Sequence, residues 1–393
     1  MAVLLENPVR SYAWGSATVI PDLLGLDPTG DPQAELWVGA HPGSPSVVAG
    51  DGRTLDQYIA ADPAGALGPG VLDRFGAALP YLLKILAIER PLSIQAHPTI
   101  AQAAEGFDAE DAAGTPLGSP KRSYQDRNHK PEMVVALTEF EALLGFRDPA
   151  EVAAALELSG REEFTQAIAM LRQGDGLRRL VTAWLSLPES EAVRIARTLA
   201  DEARAHSSHE PFAVVDQLAA TYPDDRGLLL ALLMRRIRLN PGEAAFVAAG
   251  VPHAYLSGFA VEPQASSDNT LRAGLTPKHV DAAEVLRILR YEPDGGMLIV
   301  PQDTQAGEQV YPVPGLDEFR LARLQLDAEE IRPSGSGPRV VLVVDGAVAV
   351  RAGSAQDAGD SLQLRSGQAA FVPASEPDVV VSGTGTAFTV TPG

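Results

Sequence analysis

Three hydrophobic patterns follow one another along the chain. Up to about residue 98, short apolar runs such as Glu35–Gly39 and Ser46–Ala49 alternate with glycine and proline, which predicts β-strands joined by turns. From 151 to 238 the apolar positions recur about every 3.6 residues, which predicts helices. Strand-like runs return at 239 and continue to the C-terminus. The pattern therefore predicts a mainly β protein with a helical segment inserted near its middle.

Two predictions concern single elements. The last helix of the inserted segment is expected to span 226–237, because its leucines keep the helical spacing. Near the C-terminus, Arg339–Val350 contains Asp345 and Gly346 between two apolar runs. Because Asp-Gly is a preferred two-residue turn, this run predicts a β-hairpin.

The most unusual stretch is Leu92–Pro98, which follows the apolar run Tyr81–Ile88. Successive side chains of a strand alternate between its faces, so Ser93, Gln95 and His97 share one face. Burying an amide and an imidazole costs free energy unless each finds a partner, and a cation bound by both would be one. The alternative is a hydrogen-bonded core histidine beside an edge glutamine, and this stretch alone does not decide between the two.

Two further strings carry groups that could join such a site. The string after Asn128 runs from polar into apolar residues and puts Lys130 and Glu132 on one face, although a solvated strand entry has the same pattern. Later in the chain, a strand and a Gly-Pro turn precede His253, which shares a face with Tyr255. Metal-binding and structural interpretations stay open for both strings.

Composition narrows the classes of function. The 393 residues are 45% apolar and carry a formal net charge of −20, so a general affinity for nucleic acid or anionic membranes is not expected. A phosphorylated ligand would need a local group of positive charges. The absence of cysteine excludes disulfides, thiol catalysis and cysteine-type zinc sites. No membrane-spanning run and no signal peptide are found, which predicts a cytoplasmic protein.

An internal repeat supports two similar β domains. Gly242–Val247 matches Gly367–Val372 at an offset of 125, and both resemble the second motif of the cupin superfamily. The first copy carries His253 at the ligand position, whereas the second has Asp378 there. The repeat therefore predicts two jelly-roll domains, only the first of which is equipped for a metal.

The strings taken together resemble the type I mannose-6-phosphate isomerases. The strings that carry this resemblance, in chain order, are Tyr12–Ser16, Ala34–Pro42, Pro91–Pro98, Asn128–Glu132, His253–Tyr255 and Ser267–Lys278. The implied fold is mainly β, with two cupin (jelly-roll) domains and an α-helical insert. The implied domains are a discontinuous metal-binding domain of 1–150 and 239–310, the helical insert 151–238, and a C-terminal cupin-like domain 311–393 without a metal site.

The resemblance also implies a metal centre and a reaction. One Zn²⁺ per chain would be bound by Gln95, His97, Glu132 and His253, and a site with open positions is typical of catalytic zinc. The implied reaction interconverts D-mannose 6-phosphate and D-fructose 6-phosphate by proton transfer through a cis-enediol. A monomer that binds a small sugar phosphate, with a role in carbohydrate metabolism such as GDP-mannose biosynthesis, is expected.

Other residues take their expected roles from the same resemblance. Arg272 is expected to stabilise the developing negative charge, as the zinc does. The proton-transfer base stays open between His129, Lys130, Asp268 and a water on the zinc. The expected substrate-binding residues are Trp14, Lys84, Ser93, Tyr255 and Lys278, of which Lys84, Ser93 and Lys278 are the candidates for the phosphate.

Two other functions remain alternatives. Another metal cupin enzyme, such as a dioxygenase or a decarboxylase, would usually present a His-x-His pair, whereas Gln95 occupies the first of these positions and favours a redox-silent metal. A non-catalytic sugar-phosphate-binding cupin would keep the pocket without the reaction. Its signature would be a broken Asp268–Arg272 loop or a lost ligand, and neither is found.

Overall fold

The protein is described by a computed structural model that covers residues 1–293, 296–353 and 361–393. Its described part is mainly β, as the hydrophobic pattern predicts. The strands are β1 (Val3–Glu6), β2 (Val9–Arg10), β3 (Glu35–Gly39), β4 (Val47–Val48), β5 (Tyr81–Ile88), β6 (Ile94–Ala96), β7 (Glu132–Ala136), β8 (Phe140–Phe146), β9 (Met234–Leu239), β10 (Ala244–Val247), β11 (His253–Ala265), β12 (Leu271–Gly274), β13 (Met297–Ile299), β14 (Gln302–Gln305), β15 (Glu308–Tyr311), β16 (Arg320–Asp327), β17 (Arg339–Ala352), β18 (Leu362–Arg365), β19 (Ala369–Val372) and β20 (Val379–Thr391).

The helices lie mainly in two places, near the N-terminus and in the predicted insert. They are α1 (Val19–Leu24), α2 (Leu55–Ala61), α3 (Pro63–Leu67), α4 (Pro69–Phe75), α5 (Ile100–Ala112), α6 (Pro149–Ser159), α7 (Thr165–Leu171), α8 (Gly176–Leu185), α9 (Glu189–Ala205), α10 (Glu210–Ala219), α11 (Gly227–Leu233) and α12 (Ala282–Ile288), with a 3-10 turn at Glu162–Phe164. In the described part of the chain, none of these helices has the length and apolar character that crossing a membrane requires.

The strands form two antiparallel sheets. The first has the order β13-β10-β7-β11-β5-β3-β2, and β6, β8, β9 and β12 join it beside the first half of β11. The second has the order β14-β15-β16-β20-β17-β19-β1-β4, with β18 paired to β17. The long strand β11 contacts β5 and β7 through its second half and β6 and β8 through its first. It therefore brings together the segments that carry the polar strings.

The first strand of the chain belongs to the second sheet. Val3 of β1 pairs with Phe371 of β19, and Leu5 pairs with Val48 of β4. The second sheet, most of whose strands come from the C-terminal segment, thus also contains β1 and β4 from the N-terminal part of the chain. The division into domains at 150, 239 and 310 stays a prediction.

The two sheets share one apolar core. Leu83 and Ile85 of β5 lie in the same buried cluster as Phe371 and Phe388 of the second sheet. The hydroxyl of Tyr81 donates to the carbonyls of Pro338 and Val390, at 3.1 and 3.0 Å, across that contact. Apolar burial and these hydrogen bonds hold the sheets against each other.

Two element predictions are wrong. The last insert helix ends at Leu233, and β9 follows it, because arginines alternate with buried residues from Arg236 to Leu239 and the segment pairs with β8. Arg339–Val350 is not a hairpin but part of the continuous strand β17, which pairs with β20 through a bulge near Asp345. Gly346, with φ at 82°, serves the bulged strand and not a turn.

The two copies of the repeat form equivalent strands. The matching segments are β10 and β19, and both are buried along their length. Inside the second sheet, aliphatic side chains such as Leu324, Val341 and Val343 form one packed cluster. Within the described ranges, the one group of histidine and acidic side chains close enough to hold a metal lies in the first sheet.

Candidate active site

Three predicted ligands come together at the first sheet. His97 directly follows β6, Glu132 begins β7 and His253 begins β11. One ligand atom of each lies within 4.8 Å of the others, and all three residues are buried. The chain is thus folded so that segments 35 and 121 residues apart (97 to 132, and 132 to 253) meet at one point.

Backbone carbonyls orient both imidazoles. The Nδ1 atom of His97 lies 2.8 Å from the carbonyl oxygen of Asn269, and Nδ1 of His253 lies 3.2 Å from that of Val251. A carbonyl only accepts hydrogen bonds, so we assign the imidazole protons to Nδ1. Both Nε2 lone pairs then face the carboxylate of Glu132, at 3.3 Å for His97 and 3.0 Å for His253.

This arrangement fits a bound cation. Burial is the main cause that lowers the pKa of His97 to about 4, so the imidazole is neutral at neutral pH. Burial alone would raise the pKa of Glu132, but the charge of Lys130 opposes it, and that pKa is held well below its usual value. Two lone pairs therefore face an ionised carboxylate, and Nε2 of His97 has no hydrogen-bond partner. Two neutral imidazoles and one carboxylate are a ligand set that zinc accepts.

Gln95 lies in the middle of a row of side chains across three strands. Its Cα pairs with that of His253 on one side and with that of Arg272 on the other. Side chains of directly opposite residues share a face, with Cβ atoms roughly 5 Å apart. The amide nitrogen of Gln95 donates to the hydroxyl of Ser93, at 3.2 Å, which leaves the amide oxygen for a cation. The alternation predicted for this string is confirmed.

An open pocket of about 550 Å³ leads to this row. Among the described residues, five cationic side chains line it, and two of these form ion pairs with carboxylates: Lys130 with Glu132 at 3.1 Å and Lys84 with Glu262 at 3.4 Å. The remaining cations are Arg90, Arg272 and Lys278, which have no ion pair within the described ranges. The paired lysines are buried, whereas Arg272 is half-buried and Lys278 and Arg90 are exposed. The pocket therefore has a neutralised inner end, and the exposed cations Arg90 and Lys278 make its outer end positive.

Lys84 belongs to the inner end. Its strand neighbours on β3 and β11 are Trp37 and Glu262, so the three side chains form a second cross-strand row. The ammonium lies 5.0 Å from the ring centre of Trp37. Burial would lower the pKa of Lys84, but Glu35 and Glu262 outweigh it and raise that pKa above its usual value. Lys84 is thus held as a buried cation.

The other predicted residues lie at different distances from the pocket. Trp14, Ser93 and Asp268 are among its lining residues. Asp268 is half exposed, with Oδ1 3.6 Å from Nε2 of His41. Tyr255 is buried behind the metal ligands and donates its hydroxyl to Glu132 at 3.0 Å. These contacts make Tyr255 a neighbour of the metal centre and not one of the described lining residues.

His129 points away from the pocket. Its Nε2 lies 2.5 Å from Oε1 of Glu318, and it is not among the described residues that line the pocket. His129 lies in the irregular segment before β7, where its neighbour Lys130 contacts Glu132 while its own ring contacts Glu318. The structure therefore brings Lys130 and Asp268 to the pocket, but not His129.

Several site residues are missing from the predictions made from the sequence. Glu262 and Gln264 are buried on β11, and Glu35 accepts a hydrogen bond from the indole of Trp37 at 2.5 Å. The spacing of Glu262 and Gln264 within an apolar run is the same two-residue signal that singles out Gln95. That signal was therefore available in the sequence.

Asn269 is a further residue that only the structure shows. Its carbonyl orients His97, and its side-chain oxygen accepts from the backbone of Gln125 at 2.7 Å. Its amide donates to the carbonyls of Asp126 and Asn128, at 2.8 and 2.7 Å. Asn269 thus fixes the string that leads to Lys130 and Glu132, and groups of this kind orient metal ligands in many proteins.

The fold and the site together define a metal-dependent enzyme built on the cupin fold. A family model described as the catalytic domain of type I phosphomannose isomerase matches residues 3–149. The mannose-6-phosphate isomerase of Escherichia coli is 39% identical over 389 residues, covering 97% of this chain and 97% of the relative. The chain belongs to the type I mannose-6-phosphate isomerase family.

A second relative and a solved structure support membership of the same family. Mannose-6-phosphate isomerase 1 of Arabidopsis thaliana is 34% identical, with 94% of this chain and 89% of the relative covered. The crystal structure of the Salmonella typhimurium mannose 6-phosphate isomerase bound to its substrate and to zinc superposes with a TM-score of 0.90 at 36% identity. It covers 100% of this chain and 99% of that chain. The recognition made from the sequence strings is confirmed.

Proposed function

We propose that this protein is a zinc-dependent isomerase that interconverts D-mannose 6-phosphate and D-fructose 6-phosphate. One observation supports this function above the others. The centre formed by His97, Glu132 and His253 lies at the inner end of a pocket whose outer end carries cations without ion pairs. A ligand with a reacting carbonyl at one end and a phosphate at the other fits such a pocket.

The metal site is assigned to four residues. His97, Glu132 and His253 would hold the zinc through Nε2 atoms and the carboxylate, and Gln95 would add its amide oxygen. Bound zinc supplies a Lewis acid that stabilises negative charge developing on the sugar oxygens. Because these ligands sum to a single negative charge, the loaded site keeps a net positive charge.

Arg272 and Lys278 are assigned to two different negative charges of the substrate, the enediolate and the phosphate. Arg272 stands beside Gln95 in the cross-strand row, so its guanidinium is placed to stabilise the enediolate. Lys278 lies farther out, where it and Ser93 are placed for the phosphate oxygens. Lys84 also binds substrate in this proposal, but at the sugar end, because Glu262 already neutralises its charge. Trp14 closes one wall.

The reaction needs one group that moves a proton between two carbons. A base takes the proton from C2 of the open-chain aldose and returns one to C1 of the cis-enediol, while a proton moves from O2 to O1. Lys130 is the candidate that lies at the inner end, 3.1 Å from Glu132. We assign the transfer to Lys130, since Asp268 is half exposed and His129 contacts Glu318.

The assembly state and location belong to the same proposal. All the residues assigned here come from one chain, so a monomer suffices for the reaction. The absence of cysteine is compatible with a reducing compartment, and we propose a cytoplasmic enzyme.

A turnover assay tests this function. Purified protein is expected to convert mannose 6-phosphate, with formation of fructose 6-phosphate coupled to glucose-6-phosphate formation and its oxidation. In D2O the product should carry deuterium at C1, because the base that carries the transferred proton can exchange it with the solvent. Oxygen consumption with bound iron or manganese and no isomerisation would instead identify another metal cupin enzyme. Binding of the sugar phosphate without turnover would identify a non-catalytic cupin.

A further inference from the structure

A single carboxylate joins the helical insert to the loop that follows β12. Asp225 lies between α10 and α11, and its Oδ1 accepts hydrogen bonds from the backbone of Gly227 at 2.7 Å and of Leu275 at 2.8 Å. Its Oδ2 accepts from the backbone of Thr276 at 2.9 Å. Asp225 thus holds the first residue of α11 and two consecutive residues of a distant loop.

The loop needs such a support because its backbone is strained. Leu275 has φ at 55°, a left-handed conformation that residues with side chains rarely adopt, and its side chain is 1% exposed. The loop also lies very close to the insert, since a Cβ on Gly274 would be 2.4 Å from Cα of Gly227. The insert therefore determines the shape of this loop by direct contact.

The strained segment leads to Lys278 and not to Arg272. Arg272 lies within β12, where backbone pairing with Gln95 holds it independently of the insert. Lys278 comes two residues after Thr276, and its N–H donates to the Thr276 hydroxyl at 3.1 Å. Thr276 is thus bonded to Asp225 on one side and to Lys278 on the other.

We propose that Asp225 is a positioning residue for substrate binding. By holding Leu275 and Thr276, it places the ammonium of Lys278 at the outer end of the pocket. This inference rests on the proposed function in one respect, namely that Lys278 binds the phosphate. It assigns the helical insert a part in substrate recognition.

Electrostatics alone predicts the opposite effect, which makes the proposal easy to test. Asp225 and Lys278 line the same open cleft of about 590 Å³, so the carboxylate repels a phosphate bound near Lys278. If charge were its only influence, Asp225→Asn would tighten phosphate binding. If it positions the loop, the same substitution weakens binding. The amide oxygen of Asn can still accept hydrogen bonds, but the amide nitrogen that replaces the second carboxylate oxygen cannot.

The experiment compares Asp225→Asn and Asp225→Ala with a matched control, Asp224→Asn. Asp224 carries the same charge one residue earlier but pairs with Arg197 at 2.7 Å. For both Asp225 variants, the KM for mannose 6-phosphate and the Kd of inorganic phosphate, measured by calorimetry, should rise together by about tenfold, with kcat within about threefold of wild type. The control is expected to stay near the wild-type values. Should Asp225→Ala not fold, the isosteric Asp225→Asn carries the test.

Each outcome has one meaning. A lower thermal midpoint with unchanged KM and Kd would make Asp225 a purely structural residue and overturn the inference, as would tighter phosphate binding. A wild-type protein that binds phosphate but does not isomerise mannose 6-phosphate would refute the proposed function. In that case the phosphate Kd of the Asp225 variants still decides the inference.

Discussion

Removal of zinc should lower the turnover of mannose 6-phosphate by about a thousandfold, since Lewis-acid stabilisation is worth several kcal/mol and about 4 kcal/mol corresponds to that factor. The structural reason is that the Nε2 lone pairs of His97 and His253 face the Glu132 carboxylate at 3.3 and 3.0 Å. Without a cation these lone pairs repel the carboxylate inside a buried site. We therefore expect the metal-free protein also to unfold at a lower temperature. Dialysis against a chelator, followed by activity and thermal-unfolding measurements, checks both effects.

Two histidine variants separate a specific metal effect from damage to the protein. His97→Ala should lose zinc and turnover, and a chelator should change it no further. His206→Ala is the matched control, because His206 lies in the insert beside Glu202 and outside the metal centre. The control should keep its zinc, its activity and its sensitivity to chelation. Activity of the wild-type protein that survives complete removal of zinc would rule out the catalytic role of the metal.

The second large effect is expected for Arg272→Ala. Loss of the guanidinium should lower kcat by about 10²–10³-fold, with a much smaller rise in KM, because in the proposed mechanism it stabilises charge that develops only in the transition state. Its position beside Gln95 in the cross-strand row puts it close to the metal end of the substrate. Steady-state kinetics of the purified variant in zinc-containing buffer provide the measurement.

Arg90→Ala is the control for the loss of a positive charge. Arg90 lines the same pocket, has no ion pair in the described part of the chain, and is exposed. Its removal should raise KM slightly and leave kcat unchanged. If Arg272→Ala instead raises KM and spares kcat, Arg272 binds the ground state and belongs with Lys278 at the phosphate.

The proposed metal ligands could be selected from the sequence because the local pattern around Gln95 and His97 is strong. Alternation alone put Gln95 and His97 on one face, and the structure keeps that face. No local rule could bring them together with Glu132 and His253, since that contact depends on strand pairing along β11. The resemblance to a family supplied the missing long-range information.

Other features show where local patterns fail. His129 is a candidate base beside Lys130 in the sequence, yet it lies in the irregular segment before β7 and its ring contacts Glu318. The pairing of β1 with β19 joins the two ends of the chain, and no nearby residue encodes it. Gly346 shows that an Asp-Gly pair can serve a bulge as well as a turn.

Glu262 was missed from the predicted site although the local pattern for it is present in the sequence. It lies in an apolar strand two residues before Gln264, so the alternation rule applied to Gln95 would have selected it. Its partner Lys84 explains how a carboxylate is tolerated there, and that pairing across β5 and β11 is visible only in the fold. Burial, with the nearby charge of Glu132, raises the pKa of Glu262 to about 7.

The position of the bound zinc decides whether these four residues form the metal site. Diffraction data collected at the zinc absorption edge, from crystals of the wild-type protein grown with zinc, would give its position and ligands. We expect one anomalous peak per chain, with His97, Glu132, His253 and the oxygen of Gln95 each at about 2.0–2.2 Å. A peak elsewhere, or a peak at which any of these four side chains is turned away beyond coordination distance, would contradict the assignment of this site.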